Sequence, residues 1–159
     1  MKRVLMTVLV GLLSGAGLCL PADAQSGQPG KSSAQDLLIK SEVETAVSML
    51  QAIVTKHQQG EMTLEKAKKL GTDLLRDLKY GTEGYFWADT LGGVNVVLYG
   101  REDVEGRNRL EDKDATGKAG GGYVEYLFSK KGETAIRPKR SYVLLFEPFG
   151  WVVGSGYYL

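Results

Sequence analysis

Cysteine and histidine are almost absent from this sequence, which contains one of each, Cys19 and His57. Cys19 lies in an apolar N-terminal segment that we expect to be removed from the mature chain. Without it the chain forms no disulfide and has neither a thiolate metal ligand nor a cysteine nucleophile. His57 is predicted to lie at the C-terminal end of a helix, where a partial positive charge is favourable, and no serine in a nucleophile-type turn accompanies it. We therefore do not expect an enzyme.

A net charge of one sign is also lacking, since 20 Lys and Arg residues stand against 19 Asp and Glu residues. Removal of residues 1–24 takes away Lys2, Arg3 and Asp23, a net charge of +1, and leaves the mature chain at zero. Affinity for nucleic-acid phosphates comes mainly from a basic surface, so we expect no nucleic-acid partner. The acidic residues at 111–114 do not have the spacing of a calcium loop, and no motif predicts a metal or a cofactor.

The N-terminal residues have the pattern of a signal peptide. Two positive residues precede an apolar stretch over residues 4–20, and the small residues Ala22 and Ala24 follow it. We place the cleavage site after Ala24, which predicts a periplasmic or secreted protein with no membrane span after cleavage. A retained transmembrane anchor is an alternative, although the apolar run is short and interrupted by glycines. Lipidation of Cys19 is a second alternative, which the large Leu18 before it disfavours.

The residues after this site divide into a short leader and one domain. Residues 25–33 are rich in Ser, Gly and Gln and contain no apolar residue, which predicts a flexible leader. Residues 34–159 have the length of one ordinary domain. Within them, apolar residues at three- and four-residue steps predict helices over residues 34–59 and 64–79.

After Gly81 the pattern changes from helical to strand-like. Five runs dense in aromatic residues and valine cover residues 84–89, 94–99, 123–130, 140–147 and 151–158. Their mostly short connections predict antiparallel hairpins, and hence an α+β domain in which two N-terminal helices pack on a five-stranded antiparallel sheet. The one long connection, residues 100–122, predicts a lid or a mobile segment with a turn at 114–117.

Several segments follow one another in a recognisable order along the second half of the chain. They are Gly84-Tyr85-Phe86-Trp87, the turn at Gly93 with the strand after it, and the segments at 104–108, 114–118, 122–126, 138–142 and 150–159. Together they resemble the single Cache domain of bacterial chemoreceptors and sensor kinases. The resemblance implies a PAS-like sheet with a long helix behind it. It also implies a pocket on the other side of the sheet, closed by the long connection, for small extracellular molecules that are often short carboxylic acids.

Three features depart from the family pattern. Leu98 and Tyr99 stand where the family often has His-Pro, which removes a polar group near the pocket mouth. The family also has a helix of roughly ten residues between positions matching Lys118 and Gly120, and we expect this chain to lack it. The sequence ends at Leu159, on the last predicted strand, where a receptor continues into its membrane helix. We therefore expect signalling to require a membrane receptor or a sensor kinase as partner.

Cations around the fourth predicted strand are candidates for binding a carboxylate. Lys139, or Arg140 on the opposite face, is expected to point into the pocket and form a charge-assisted hydrogen bond with the ligand. The alternative is that these cations lie in solvent at a hairpin end and protect an edge strand.

Aromatic residues on alternate strand positions are the other candidates for lining the cleft. The predicted ligand-binding residues are Tyr85, Trp87, Tyr99, Tyr126, Lys139, Arg140 and Tyr142. Residues without a polar end, or just after a tight turn, are expected in the core beneath the helices: Phe86, Phe128, Phe146 and Trp151.

The sequence and the resemblance together predict a sensor domain that binds a small organic ligand, with short carboxylic acids as the expected class, and that acts through a membrane partner. The alternative is an adaptor with a degenerate pocket that binds a receptor or kinase without a ligand. A small ligand that closes the domain should also stabilise its fold.

Overall fold

The computed structural model describes residues 33–108, 112–130 and 132–159. The predicted signal peptide at 1–24 and the leader, except for its last residue Ser33, lie outside the described residues and stay predictions. All of the described residues belong to one compact unit.

Two helices open the fold, and both begin at a side-chain cap. Helix α1 covers Ala34–Gln58, and helix α2 covers Leu64–Asp77. The hydroxyl of Ser33 accepts a hydrogen bond from the backbone N–H of Asp36, and Thr63 caps α2 in the same way. Both predicted helices are confirmed, with α2 ending two residues earlier than expected.

Six strands form an antiparallel sheet: β1 at Lys79–Tyr80, β2 at Gly84–Thr90, β3 at Asn95–Leu98, β4 at Gly121–Ser129, β5 at Ile136–Phe146 and β6 at Trp151–Tyr158. The two-residue β1 pairs with the start of β2. The other five run in the spatial order β3-β2-β6-β5-β4, all antiparallel. This confirms the predicted PAS-like five-stranded sheet and the α+β class.

Strand β5 begins four residues before the predicted start at Arg140. The proline at 138 led to the prediction of a connection over 132–139, because proline cannot donate to a strand ladder. Residues 136–138 pair with β4 and lie beyond the ladder that joins β5 to β6, and proline is tolerated at such edges. The extension places Lys139 inside the strand rather than in a loop.

A third helix, α3 at Asp112–Lys118, lies in the connection between β3 and β4. The prediction of a turn at 114–117 is therefore wrong. This helix has no apolar stripe to reveal it. It approaches the sheet through a glycine, because a Cβ at Gly117 would meet the γ-carbons of Val152 on β6.

The two faces of the sheet carry separate apolar clusters. The face toward α1 and α2 holds the larger one, which includes Leu50, Leu75, Phe86, Phe146 and Trp151. The opposite face carries a smaller cluster of Trp87, Leu98, Val104, Val143 and Val152. We call these the helix face and the pocket face. None of the described helices combines the length and the apolar character required to cross a bilayer.

Candidate ligand-binding site

Lys139 is the centre of the pocket face. It lies in β5, paired with Tyr126 of β4 on one side and Tyr158 of β6 on the other, and only 1% of its surface is exposed. Its Nζ donates a hydrogen bond to Tyr85 Oη at 2.7 Å and lies 4.3 Å from the centroid of that ring. The rings of Phe128 and Tyr158 lie 5.5 and 5.4 Å from Nζ. A primary ammonium is thus held in an aromatic environment, where cation–π attraction partly replaces its hydration.

A small cavity adjoins this ammonium. The described residues that line it are Trp87, Asp89, Asn95, Leu98, Tyr126, Phe128 and Lys139. Its volume is about 10 Å³, which is about the room that one water molecule needs. Polar and apolar groups therefore converge on one small space. We call it the inner cavity.

Asp89 and Asn95 give the inner cavity a buried polar wall. Asn95 Nδ2 donates to Asp89 Oδ1 at 2.6 Å, and the two side chains are 4% and 1% exposed. The register between β2 and β3 shifts between Ala88 and Asp89, which leaves Val96 of β3 as an extra residue and turns Asn95 toward Asp89. Neither Asp89 nor Asn95 was among the predicted site residues.

The tyrosines around the inner cavity keep their protons. Burial raises the pKa of the Tyr85 hydroxyl far above its ordinary value, with a smaller contribution from the neighbouring Tyr158. Burial also raises the pKa of Tyr158. The Tyr126 hydroxyl lies 3.0 Å from Ser141 Oγ. These phenols can donate hydrogen bonds to an anion, whereas a phenolate could not.

Outside the inner cavity, a wide groove opens at the N-terminal end of α1. It has a volume of about 620 Å³, and the described residues that line it include Tyr80, Tyr85, Tyr99, Tyr157 and Tyr158. The rings of Tyr85 and Tyr99 lie 5.9 Å apart, and Lys79 Nζ lies 4.5 Å above the Tyr99 ring. We call this space the outer groove.

Arg140 follows Lys139 in the chain but lies on the helix face. Its guanidinium donates to both carboxylate oxygens of Asp36, at 2.7 and 3.2 Å, and to Glu125 Oε1 at 2.7 Å. Tyr157 Oη also donates to Asp36, at 3.0 Å. The hydrogen bond from Arg140 is the main reason why the pKa of Asp36 is lowered, and the same contact raises the pKa of Arg140. Arg140 thus fastens the first turn of α1 to the sheet.

Tyr142 also lies on the helix face, where its ring meets Tyr123 edge-on at 5.0 Å and packs against the larger apolar cluster. Phe128 was predicted beneath the helices, and that prediction is wrong, because it lines the inner cavity on the pocket face. The positions of Phe86, Phe146 and Trp151 in the helix-face core confirm the prediction made for them.

The structure therefore brings four of the seven predicted site residues together around the inner cavity: Tyr85, Trp87, Tyr126 and Lys139. Tyr99 joins them from the outer groove. Arg140 and Tyr142 lie on the opposite side of the sheet. Among the described residues, no group of three or more His, Cys, Asp or Glu side chains could hold a metal ion.

Several known proteins are similar to this chain in sequence and in architecture. Two curated relatives match parts of the chain. The sensor histidine kinase MctS of Rhizobium johnstonii is 34% identical over 121 residues, 69% of this chain and 26% of that protein. The methyl-accepting chemotaxis protein McpP of Pseudomonas putida is 27% identical over 129 residues, 74% of this chain and 24% of that protein. The chain thus spans about a quarter of the length of each relative.

Solved structures agree with these relatives. A periplasmic sensor domain of a chemotaxis protein superposes with a TM-score of 0.72 at 30% identity, covering 77% of this chain and 94% of that one. A Cache chemosensory domain, solved to explain carboxylic acid recognition, gives 0.75 at 29% identity, covering 79% and 94%. The family model described as Single Cache domain 2 matches residues 32–159. The chain belongs to the Single Cache domain 2 family, whose members are ligand-binding sensor domains of chemoreceptors and histidine kinases.

Proposed function

We propose that this domain senses a short carboxylic acid outside the cytoplasm and that Lys139 binds the carboxylate. The observation that carries the proposal is the buried ammonium of Lys139 at the wall of the inner cavity, 2.7 Å from a tyrosine hydroxyl. A carboxylate can accept a charge-assisted hydrogen bond from this ammonium, and such a bond is stronger in a desolvated site than in water.

The walls of the inner cavity favour a small ligand with an apolar part. Trp87, Leu98 and Phe128 offer apolar surface within reach of the ammonium. Tyr126 and the Asp89–Asn95 pair supply polar groups that would orient a second polar atom of the ligand. Support also comes from the solved Cache domain, similar in fold at 29% identity, that was studied for carboxylic acid recognition.

We further propose that the domain acts from the periplasm or as a secreted protein, through a membrane receptor or a sensor kinase. A chemotaxis protein and a sensor histidine kinase among its relatives support this role. The two ends of the domain also lie close together, since Ser33 Oγ at the start of α1 is 3.5 Å from Tyr157 Oη near the end of β6. A conformational change in the pocket could therefore be transmitted to both ends of the domain at the same place on its surface.

Thermal unfolding of the mature chain tests the ligand class. Short monocarboxylates, amino acids and amines would each be added at increasing concentration. A ligand at a hundred times its dissociation constant stabilises the fold by about 2.7 kcal/mol. We expect carboxylates to raise the melting temperature of the wild type, and Lys139→Met to abolish that rise.

Arg140→Met is the matched control, because it removes the neighbouring cation of the same strand from the opposite face. This variant should start from a lower melting temperature yet keep the rise caused by the ligand. If no compound shifts the wild type at millimolar concentration, the sensing proposal is refuted.

The small volume of the inner cavity favours a second candidate, an adaptor that binds a receptor or kinase without a ligand. A pull-down from the envelope fraction with the mature chain as bait tests it. Recovery of one receptor or kinase, together with no shift by any compound, would establish the adaptor over the sensor.

A further inference from the structure

Tyr85 separates the inner cavity from the outer groove. Its ring lines the outer groove, and its hydroxyl accepts the hydrogen bond of Lys139, which lines the inner cavity. The two spaces differ greatly in size, at about 620 and 10 Å³. An organic acid cannot occupy the inner cavity unless one of the walls moves, because the present volume suits only about one water molecule.

Tyr85 lies near the start of its strand. The ladder between β2 and β6 begins one residue later, at Phe86, so Tyr85 pairs only with the short β1, and Ser155 Oγ donates to its backbone carbonyl at 2.7 Å. Trp87, in contrast, pairs with Leu98 of β3 and with Gly154 of β6. Displacement of Trp87 would disturb a central strand, whereas rotation of Tyr85 would disturb its end.

The other route to the inner cavity, beneath the segment after β3, is fastened. Arg76 of α2 donates to both carboxylate oxygens of Glu105, at 3.3 and 2.7 Å. Glu105 also accepts a hydrogen bond from the backbone N–H of Leu98 at 3.4 Å. The neighbouring Val104 is 7% exposed and packs in the pocket-face cluster. This part of the segment is therefore held both by charge and by apolar packing.

We propose that Tyr85 is a gate through which the ligand passes from the outer groove to Lys139. This inference rests on the proposed function for the identity of the ligand. The hydrogen bond between Lys139 and Tyr85 acts as the latch of the gate. Breaking of this hydrogen bond lets the ring rotate, and an entering carboxylate then accepts a hydrogen bond from Nζ in place of the tyrosine hydroxyl. Carboxylates too long for the inner cavity extend into the outer groove.

Fluorescence quenching of Trp87 by acrylamide tests the gate without using the natural ligand. Acrylamide is a neutral molecule about as large as a short carboxylic acid, and Trp87 forms a wall of the inner cavity. The only other tryptophan, Trp151, is buried on the helix face and gives a constant background. Tyr85→Ala should raise the quenching constant severalfold, and Tyr85→Phe, which removes only the latch, should raise it less. Two matched variants, Thr82→Ala in the exposed turn that lines the outer groove and Val104→Ala in the fastened segment, should stay near the wild type.

Stopped-flow binding of propionate to the same variants completes the test. Binding that must wait for a conformational change is slow, so Tyr85→Ala should associate about tenfold faster than the wild type. Quenching that rises in Val104→Ala and not in either Tyr85 variant would overturn the gate and place the entrance beneath the segment. If propionate binds in a Lys139-dependent way while the Tyr85 variants change nothing, the gate fails and the sensing function stands. If the Tyr85 variants open the cavity to acrylamide and no carboxylate binds, the gate stands and the carboxylate function fails.

Discussion

Lys139 and Arg140 are neighbours in β5, and their charged groups lie on opposite faces of the sheet. The ammonium of Lys139 is buried beside Tyr85 on the pocket face, and the guanidinium of Arg140 binds the Asp36 carboxylate on the helix face. The alternation of side chains along a strand produces this division. Two adjacent cations therefore have different roles, one as the candidate ligand-binding group and one as a clamp on α1.

The different roles predict different effects on stability. Lys139→Met keeps a side chain of similar length in contact with the surrounding rings, so the free energy of unfolding should fall by less than about 1 kcal/mol. Urea denaturation of the ligand-free chain measures it. A loss of more than about 2 kcal/mol would show that Lys139 is needed for the fold itself, and would argue against a residue kept for a ligand.

Arg140→Met should instead destabilise the domain by about 2 kcal/mol, because it leaves the largely buried Asp36 without its two charge-assisted hydrogen bonds. The double variant with Asp36→Asn should lose less than the sum of the two single variants, since both changes remove one contact. Additive losses in the urea experiment would show that the pair is not coupled.

The Asp36 clamp also predicts how stability depends on pH. The hydrogen bond from Arg140 lowers the pKa of Asp36 below its ordinary value of 3.8. A carboxyl group with a lowered pKa in the folded state contributes its full stability above the ordinary pKa and loses it as pH falls through the folded pKa. The advantage of the wild type over Asp36→Asn should therefore be present at neutral pH and fade in strong acid. A difference that does not change with pH would contradict this assignment.

In helix α3 the effect of tertiary packing on stability can be compared with that of intrinsic helix propensity. Gly117→Ala should stabilise an isolated helix by about 1 kcal/mol. In this fold the added methyl group meets the side chain of Val152, and overpacking of this kind costs about 1–3 kcal/mol. We therefore expect a net loss of stability on urea denaturation. Ala115→Val, at an exposed position of the same helix, should change it by less than about 0.5 kcal/mol.

The sequence allowed the architecture to be predicted because periodicity reports burial. In α1 the steps between Val43, Ala46 and Leu50 follow the turns of a helix, and all three are buried against the sheet. Helix α3 lacked such a signal because its close contact with the sheet is made by Gly117. The packing there requires a residue without a side chain. Composition alone therefore suggested a turn.

The candidate site was predictable only in part. Alternation along a strand shows that Lys139 and Arg140 face opposite sides, but not which side lies beneath the helices. The early start of β5 and its pairing with both neighbours decide that Lys139 faces the inner cavity. Asp89 and Asn95 were missed because their contact depends on the extra residue Val96 in β3, which has no distinct pattern in the sequence. Tertiary pairing, and not composition, brings these groups together.

Calorimetric titration with propionate and with its isosteric amide, propionamide, tests most directly whether a buried cation selects a carboxylate here. The two molecules share a shape and differ in charge, so the amide should bind more weakly by about 1.5–3 kcal/mol. Lys139→Met should reduce propionate binding to the level of the amide, and Arg140→Met should leave the difference intact. Equal binding of acid and amide, or unchanged propionate binding in Lys139→Met, would contradict the account.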